Sequence, residues 1–318
     1  MNSTFLPVEW PDRELEARML AYRQASLSEA TKRVILKVWR AFEDWCRFQR
    51  LEPLPCAPDV LARYLVSLAD RGLKPATIGQ AVYGVGARHR LAGLQSPGNA
   101  PEVRATLAGI RRSLGVRRRQ AAALTIEHVR RIVFPGTMIG RRDRALLYVA
   151  VVTGLRGQEL VNLCLSDIEP TDAGYRVLVR RSKTDQEGKG KDVEIVQAKT
   201  RADGCPVAIL TGWLADLRSW GHARDSLALF PPIHRTGVPV PAHLSVQMVR
   251  TIVRKRVLQL GLDPAAFSAH STRAGCATYL LDKGVPLNIV ADHLRHTSVD
   301  VTRRYDRNRT SRALEGVY

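Results

Sequence analysis

The stretch SAHSTRAGCATYLLDKGVPLNIVADHLRHTSVDVTRRYDR, residues 268–307, places polar side chains among apolar residues that a helical domain would bury. His270 and Arg273 stand three residues apart at the start of one apolar helix, His296 follows a second apolar run, and Tyr305 lies nine residues beyond it. Each residue taken alone fits a structural role. Three basic side chains and a phenol in one helical region together indicate a common chemical task.

Two upstream motifs carry side chains of the same kind. In TGLRGQEL, Arg156 and Glu159 are three residues apart near the start of an apolar helix, so they share a helix face. An ion pair within that helix is the simplest interpretation. In SKT, Lys183 lies in a predicted hairpin turn, where a solvent-exposed lysine is the ordinary finding.

One reaction gives all of these residues a use. Two guanidinium groups are suited to holding a tetrahedral phosphate and to stabilising the charge of a pentacoordinate phosphorane. A phenol, with a pKa of about 10, needs a nearby base or cation to become a nucleophile, and a lysine can protonate a departing alkoxide. The sequence has no evident carboxylate cluster for Mg²⁺, so we predict metal-free attack by Tyr305 on a phosphodiester.

The chain of 318 residues has a large excess of basic residues, with 49 Lys and Arg against 30 Asp and Glu and a net charge of +19. Such a charge repels itself unless a polyanion neutralises it, and nucleic acid is the commonest such partner. A membrane surface or an acidic protein is the alternative. The basic residues are spread along the chain in pairs and triplets, which favours a folded protein in contact with a polyanion.

The five cysteines are far apart and have no histidine at ligand spacing, so neither a zinc site nor a disulfide framework is predicted. The first residues lack a basic segment followed by an apolar run, and no apolar stretch is long enough to span a bilayer. We therefore expect a soluble cytoplasmic protein that binds no metal and no membrane.

The hydrophobic periodicity divides the chain into two domains. Residues 1–115 contain four strong helical patterns, which predict an all-helical domain. Residues 116–124 carry three arginines and then small residues, and we interpret them as a linker that either runs along a phosphate backbone or is simply solvated. Residues 125–318 combine helices with YRVLV and DVEIV, two alternating segments that predict a small antiparallel sheet.

The ordered motifs TGLRGQEL, SKT, HSTR and LRH, with a tyrosine nine residues after the last histidine, resemble the tyrosine recombinase (phage integrase) family. Its signature runs Arg, Lys, His-x-x-Arg, His or Trp, and Tyr. The first domain is also similar to that of the Cre-like members. The resemblance implies a mostly α, two-domain protein: a helical, SAM-like core-binding domain and an α+β catalytic domain with a small antiparallel sheet, together forming a C-shaped DNA clamp.

The resemblance also implies a role for each motif residue. Arg156 and Arg273 would hold the non-bridging oxygens of the scissile phosphate. Tyr305 would attack the phosphorus to form a 3′-phosphotyrosyl link, and Lys183 would be the general acid for the departing 5′-hydroxyl.

The two histidines and the glutamate receive supporting roles from the same resemblance. His270 would take the proton of the nucleophile, His296 would hydrogen-bond a non-bridging oxygen, and Glu159 would orient the site without touching DNA. Ser271 and Thr272 depart from the pattern, because many members carry a leucine before the second arginine.

For DNA recognition, the resemblance implies helices of both domains in major grooves. A polar helix face can contact base edges or phosphates, although a solvated amphipathic face is the alternative for each position. The predicted contacts by position are Lys32, Arg33, Gln80, Ser245, Gln247 and Arg250.

The function implied by the resemblance is site-specific recombination between two partly palindromic sites in double-stranded DNA, by a homotetramer of a prokaryotic protein. No Walker-type motif is present, as expected of a reaction that uses neither ATP nor another cofactor. Because the helical domain begins near the first residue, we expect no additional arm-binding domain. A catalytically silent DNA-binding regulator and a type IB topoisomerase-like enzyme on the same fold are the alternatives.

The tail RNRTSRALEGVY has a short apolar stripe formed by Ala313, Leu314 and Val317. A helix of this length is marginal in water unless it packs against something. The resemblance implies that it docks on a neighbouring subunit, and folding back on its own domain is the alternative.

Overall fold

The computed structural model describes residues 12–115, 120–180, 190–198, 204–222 and 224–306. The chain divides into two compact units, Met1–Arg119 and Gln120–Tyr318. The predicted fold class is confirmed, because the described residues are mostly helical with one small antiparallel sheet. Three predicted features lie outside the described residues: Lys183, residues 116–119 of the linker, and the tail 310–318.

The first unit contains five described helices and one single-turn 3₁₀ helix, Pro97–Asn99. The α-helices are α1 Asp12–Ala25, α2 Glu29–Gln49, α3 Pro58–Asp70, α4 Pro75–Leu91 and α5 Pro101–Leu114. Pro58, Pro75 and Pro101 each start a helix, where the missing N–H is no loss.

The core of the first unit is an aromatic cluster on α2 and α3. Trp39, Phe42 and Cys46 are buried on α2, and the rings of Phe42 and Tyr64 have centroids 5.0 Å apart. Ile35, Val38, Phe42 and Trp45 stand at helical spacing in the sequence; of these, Ile35 and Phe42 are buried, whereas Val38 and Trp45 are only partly buried. A Cβ atom on Gly84 would lie 2.5 Å from Val38 Cγ1, so this glycine permits close packing of α4 on α2.

The second unit contains eight described α-helices, two 3₁₀ turns (Leu165–Asp167 and Pro264–Ala266) and three strands. The helices are α6 Ile126–Arg130, α7 Met138–Thr153, α8 Gly157–Asn162, α9 Pro206–Ser219, α10 Val246–Leu258, α11 Ser271–Asp282, α12 Leu287–His293 and α13 Val299–Arg303. The strands are β1 Ile168–Thr171, β2 Gly174–Val179 and β3 Lys191–Val196.

The sheet has the order β1-β2-β3 with antiparallel neighbours. Val177 pairs with Val193 across β2 and β3, and both are buried on one face of the sheet. Strand β1 was not predicted from the sequence, because it is short and contains Pro170, a residue disfavoured in strands. It pairs only with β2 and is thus an edge strand, where a proline is tolerated.

Helix α7 is the central element of the second unit and is buried along most of its length. It packs against α9, α11 and β3. Gly154 ends it in the left-handed conformation, with φ 58°. The chain then turns directly into α8, so the end of α7 and the start of α8 form one wall of the candidate site. Within the described residues, no helix is long and apolar enough to cross a membrane.

Candidate active site

Arg156 and Glu159 are joined at the start of α8, as their spacing predicts. The backbone N–H of Arg156 donates to Glu159 Oε2 at 2.9 Å, and its Nη1 donates to Oε1 at 2.7 Å. The Glu159 side chain is only 3% exposed. Burial by itself raises the pKa of this carboxyl, but the hydrogen bonds from Arg156 and the charge of Arg295 outweigh burial and hold the pKa below its usual value. Glu159 is therefore a buried carboxylate that fixes Arg156.

Arg273 is fully buried in the first turn of α11. Its Nη1 donates to the carbonyl oxygen of Gly154 at 2.7 Å, and its Nη2 donates to the carbonyl oxygen of Leu294. These bonds use two of the five N–H donors of a guanidinium. Burial and then the neighbouring charges of Arg156 and Arg295 lower the pKa of Arg273 to about 10, which leaves the group cationic at neutral pH.

His270 is hydrogen-bonded to Tyr305. Its Nε2 lies 2.7 Å from the Tyr305 hydroxyl oxygen, and the backbone N–H of His270 donates to Ser268 Oγ at 3.2 Å. Although His270 is exposed, desolvation by the surrounding protein and then the charges of Arg273 and Arg156 lower its pKa. A neutral imidazole protonated at Nδ1 can accept the phenol proton at Nε2.

The ring of His296 stacks on the ring of Tyr305. The two rings have centroids 5.8 Å apart at an interplanar angle of 7°. His296 Nδ1 lies 2.6 Å from the hydroxyl oxygen of Thr302, which is fully buried. Burial and then the charges of Arg273, Arg156 and Arg295 lower the pKa of His296 to about 4. The ring is neutral at neutral pH and held in one orientation.

Arg295 is a site residue that the sequence analysis missed. It follows α12 with φ 57°, a conformation that glycine usually occupies at the end of a helix. The backbone N–H of Arg295 donates to Asp292 O, and that of His296 donates to Ala291 O, both at 2.9 Å. The Arg295 side chain is buried, and its Nη2 donates to Glu159 Oε2 at 3.1 Å. LRH was recognised as a motif, but nothing in it indicated a partner 136 residues away.

The structure therefore brings six of the predicted residues together with Arg295. The site contains three guanidinium groups and one carboxylate, and both imidazoles are neutral at neutral pH. This net positive charge is suited to an anion such as a phosphodiester, and the phenol of Tyr305 is next to a base. Within the described ranges, no group of three or more His, Cys, Asp or Glu residues could hold a metal ion.

Lys183 lies in sequence between β2 and β3, outside the described residues, so its relation to the site stays a prediction. The strand that leads to it is fixed at Arg180, whose Nη2 donates to Ser166 Oγ at 2.6 Å and whose Nε donates to the buried carboxylate of Asp167. Asp167 also accepts from the backbone N–H of Cys164 at 2.8 Å.

Three predicted DNA contacts lie on α10 or at its cap. Gln247 is exposed, and Arg250 is half-buried. Ser245 is the N-cap, and its Oγ accepts from the backbone N–H of Met248 at 3.1 Å. Arg254 follows on the same helix, but its Nε donates to Phe267 O at 3.1 Å. The polar stripe is thus partly occupied by contacts within the protein.

The other three predicted contacts lie on two packed helices of the first unit. Arg33 on α2 and Gln80 on α4 are exposed. Lys32 is half-buried, and its Nζ donates to Glu29 Oε1 at 2.8 Å. The Lys32–Glu29 ion pair is solvent-exposed and lies within one helix, so Lys32 can exchange Glu29 for a DNA phosphate.

The phage integrase family matches residues 125–312, more than half of the chain, including every residue of this site. The chain is a tyrosine recombinase of this family. The integrase/recombinase xerD homolog of Selenomonas ruminantium is 30% identical over 84% of this chain and 78% of the relative. The recombinase Cre of Escherichia phage P1 is 26% identical over 96% of this chain and 93% of the relative. The recombinase is thus an enzyme of DNA site-specific recombination.

Solved structures have the same fold. XerH site-specific recombinase, solved bound to its palindromic difH substrate, superposes with a TM-score of 0.58 at 22% identity, over 82% of this chain and 72% of XerH. A lambda integrase dimer bound to a core site gives a TM-score of 0.59 at 19% identity, over 92% and 96% of the two chains. At these identities the likeness demonstrates the fold alone.

Proposed function

We propose that this recombinase cuts one DNA strand by direct attack of Tyr305 on the scissile phosphate. The tyrosine oxygen forms a bond to phosphorus, the bond from phosphorus to the 5′-oxygen breaks, and the products are a 3′-phosphotyrosyl link and a 5′-hydroxyl. His270 takes the phenol proton, and Lys183 gives a proton to the departing oxygen. The observation that carries this proposal is the 2.7 Å contact between the phenol oxygen and His270 Nε2.

Charge compensation in this reaction comes from the protein. Arg156 and Arg273 hold the non-bridging oxygens, and neutral His296 donates a hydrogen bond to one of them. Since Nδ1 of His296 lies against Thr302 Oγ1, Nε2 is the ring atom left to face the phosphate. Preorganised donors of this kind stabilise the developing charge of a phosphorane, and no cofactor enters the proposed step.

Rejoining follows from the same chemistry in reverse. A phosphotyrosine is an ester, as the cut phosphodiester was, so a 5′-hydroxyl from another strand can displace Tyr305 without ATP. Exchange between two sites would then recombine DNA. In this proposal both units contribute residues that contact the DNA: Lys32, Arg33, Gln80, Ser245, Gln247 and Arg250.

The proposed assembly is a homotetramer on two partly palindromic sites, in the cytoplasm of a prokaryotic cell. Support comes from the relatives: Cre is a phage protein, and XerH was solved on a palindromic substrate. The net charge of +19 supports binding to a polyanion over a long footprint.

A nicked suicide substrate tests the proposed cleavage, because loss of the short fragment carrying the 5′-hydroxyl traps the covalent intermediate. The target site is first obtained from inverted repeats in DNA flanking the gene. We expect a slow-migrating protein–DNA band on a denaturing gel for the wild type and none for Tyr305→Phe, which still binds the site. A band in the mutant would refute the nucleophile, and a wild type that binds but gives no band would indicate a silent regulator. Relaxation of a plasmid without the site would indicate a topoisomerase.

A further inference from the structure

We propose that Arg295 is a positioning residue of this recombinase, which acts through Glu159 to hold Arg156 toward the scissile phosphate. The inference rests on the proposed function, because it assigns Arg156 to the phosphate. Arg295 itself does not touch the reacting atoms in this proposal. Its side chain is buried and only 4% exposed.

Three consecutive residues serve three different parts of the site. The carbonyl oxygen of Leu294 accepts from Arg273, the guanidinium of Arg295 donates to Glu159, and the ring of His296 stacks on Tyr305. The turn after α12 is therefore the common support of the site.

Arg295 is linked to Arg156 through one oxygen atom of the Glu159 carboxylate. Glu159 Oε2 accepts both from Arg295 Nη2 at 3.1 Å and from the backbone N–H of Arg156 at 2.9 Å, while Oε1 accepts from Arg156 Nη1 at 2.7 Å. The carboxylate is thereby fixed in rotation. With Arg295 removed, Arg156 would be the one cation in contact with this buried carboxylate among the described residues. Its guanidinium would then be drawn inward, away from an anion at the surface.

Apart from the contact with Glu159, position 295 is unfavourable for an arginine. Its backbone is in the left-handed conformation, which is sterically unfavourable for residues that have a Cβ atom. Its guanidinium is buried, and its Nε has no hydrogen-bond partner within the described residues. Its Nη1 makes a local bond to His293 O at 3.1 Å. The ion pair with Glu159 is the feature that offsets these costs.

The test uses Arg295→Gly, because glycine suits the left-handed backbone. The variant therefore removes the side chain and leaves the turn intact, so the effect of the side chain is measured by itself. Single-turnover cleavage of the suicide substrate at saturating DNA is the readout, with half-site affinity measured in parallel. We expect cleavage to slow about tenfold to a hundredfold, since a misplaced guanidinium loses alignment with the transition state, while affinity changes less than threefold. Cleavage at the wild-type rate would overturn the proposal.

Arg50→Gly is the matched control. Arg50 also has a left-handed backbone, with φ 58°, but it is exposed at the end of α2 and has no role in the site. We expect it to cleave at the wild-type rate. Arg295→Lys keeps the charge and one donor nitrogen, so it should recover part of the lost rate, and a rate no higher than that of Arg295→Gly would contradict a role for the charge.

A double-mutant cycle with Glu159→Gln tests whether Arg295 acts through Glu159. We expect that adding Arg295→Gly to Glu159→Gln slows cleavage less than threefold further. An undiminished second loss would overturn action through Glu159. The same cycle can be measured without DNA, from the free energy of unfolding in urea. Because the two side chains form an ion pair, we expect their substitutions to be coupled there, and additive effects would refute the contact. Failure of the proposed function itself is distinguishable, because the wild type would then form no covalent complex.

Discussion

The phenol oxygen of Tyr305 lies 2.7 Å from Nε2 of His270, although the two residues are 35 positions apart in the chain. His270 is the N-cap of α11, and Tyr305 follows α13, so the contact is made by the packing of the last helices of the described chain. The tyrosine ring is also stacked on His296. The nucleophile of the proposed reaction is thus in contact with both a base and a neutral ring.

The pH dependence of cleavage follows from the lowered pKa of His270. Only neutral His270 can accept the phenol proton, and a pKa below the ordinary 6.5 keeps it neutral on moving from neutral to mildly acidic solution. We expect cleavage at subsaturating DNA, which reports groups of the free enzyme, to fall in acid with a midpoint below pH 6.5. His270→Gln should cleave about a hundredfold or more slowly and lose this acid limb. A decline centred above pH 6.5 would contradict the assignment.

Thr302 orients His296, and its hydroxyl can be removed without changing its shape. Thr302→Val is expected to slow cleavage about tenfold, because the imidazole loses the 2.6 Å contact at Nδ1. The folded state should lose about 1 kcal/mol in urea unfolding, the usual net value of one hydrogen bond. Thr302→Ser keeps the hydroxyl and should cleave within threefold of the wild type. Equal effects of the two substitutions would exclude the hydroxyl as the cause.

Gly154 combines a left-handed backbone with a close neighbour. A Cβ atom there would lie 2.2 Å from Leu294 Cδ2, so Gly154→Ala is expected to destabilise the fold by about 2–4 kcal/mol. Gly72→Ala is the control, since Gly72 also has positive φ but has no atom within 4 Å of its added Cβ. It should cost about 1 kcal/mol. Equal losses in urea unfolding would mean that the contact with Leu294 relaxes freely.

Lys183 is predicted from the sequence to protonate the leaving 5′-oxygen. Lys183→Ala should slow cleavage by about a hundredfold or more. A substrate with a 5′-bridging sulfur should restore most of the rate, because a thiolate leaves without a proton. An equal defect on both substrates would indicate that Lys183 is an ordinary surface lysine and not the general acid.

The tail is predicted to act between subunits. Deletion of residues 310–318 should leave binding to a half-site unchanged in a gel-shift assay, while pairing of two sites and recombination fail, because a short apolar helix needs a partner surface. Tail-deleted protein that still pairs two sites as readily as the full chain would favour folding back on its own domain.

The sequence by itself determined the helices and the composition of the candidate site. Ser28 caps α2, and Pro58, Pro75 and Pro101 start their helices; these capping and first-turn preferences are local and can be read from the sequence. The ordered Arg, His-x-x-Arg, His and Tyr motifs predicted which side chains meet, although their catalytic roles stay predictions. Local spacing could not identify every buried residue of α2, because packing against neighbouring helices decides which of two adjacent apolar residues is buried.

Only the tertiary structure decided how the site is held. The acceptors of Arg273 are backbone carbonyls, which no sequence motif distinguishes, and they belong to Gly154 and Leu294, far from it in the chain. In the sequence, Arg295 is one more basic residue, and it becomes a partner of Glu159 only when folding brings the turn after α12 next to the start of α8. The lowered pKa values of both histidines arise from burial and from arginine charges brought close by folding. These properties depend on distances between segments remote in the chain, and such distances are fixed by packing of the whole unit.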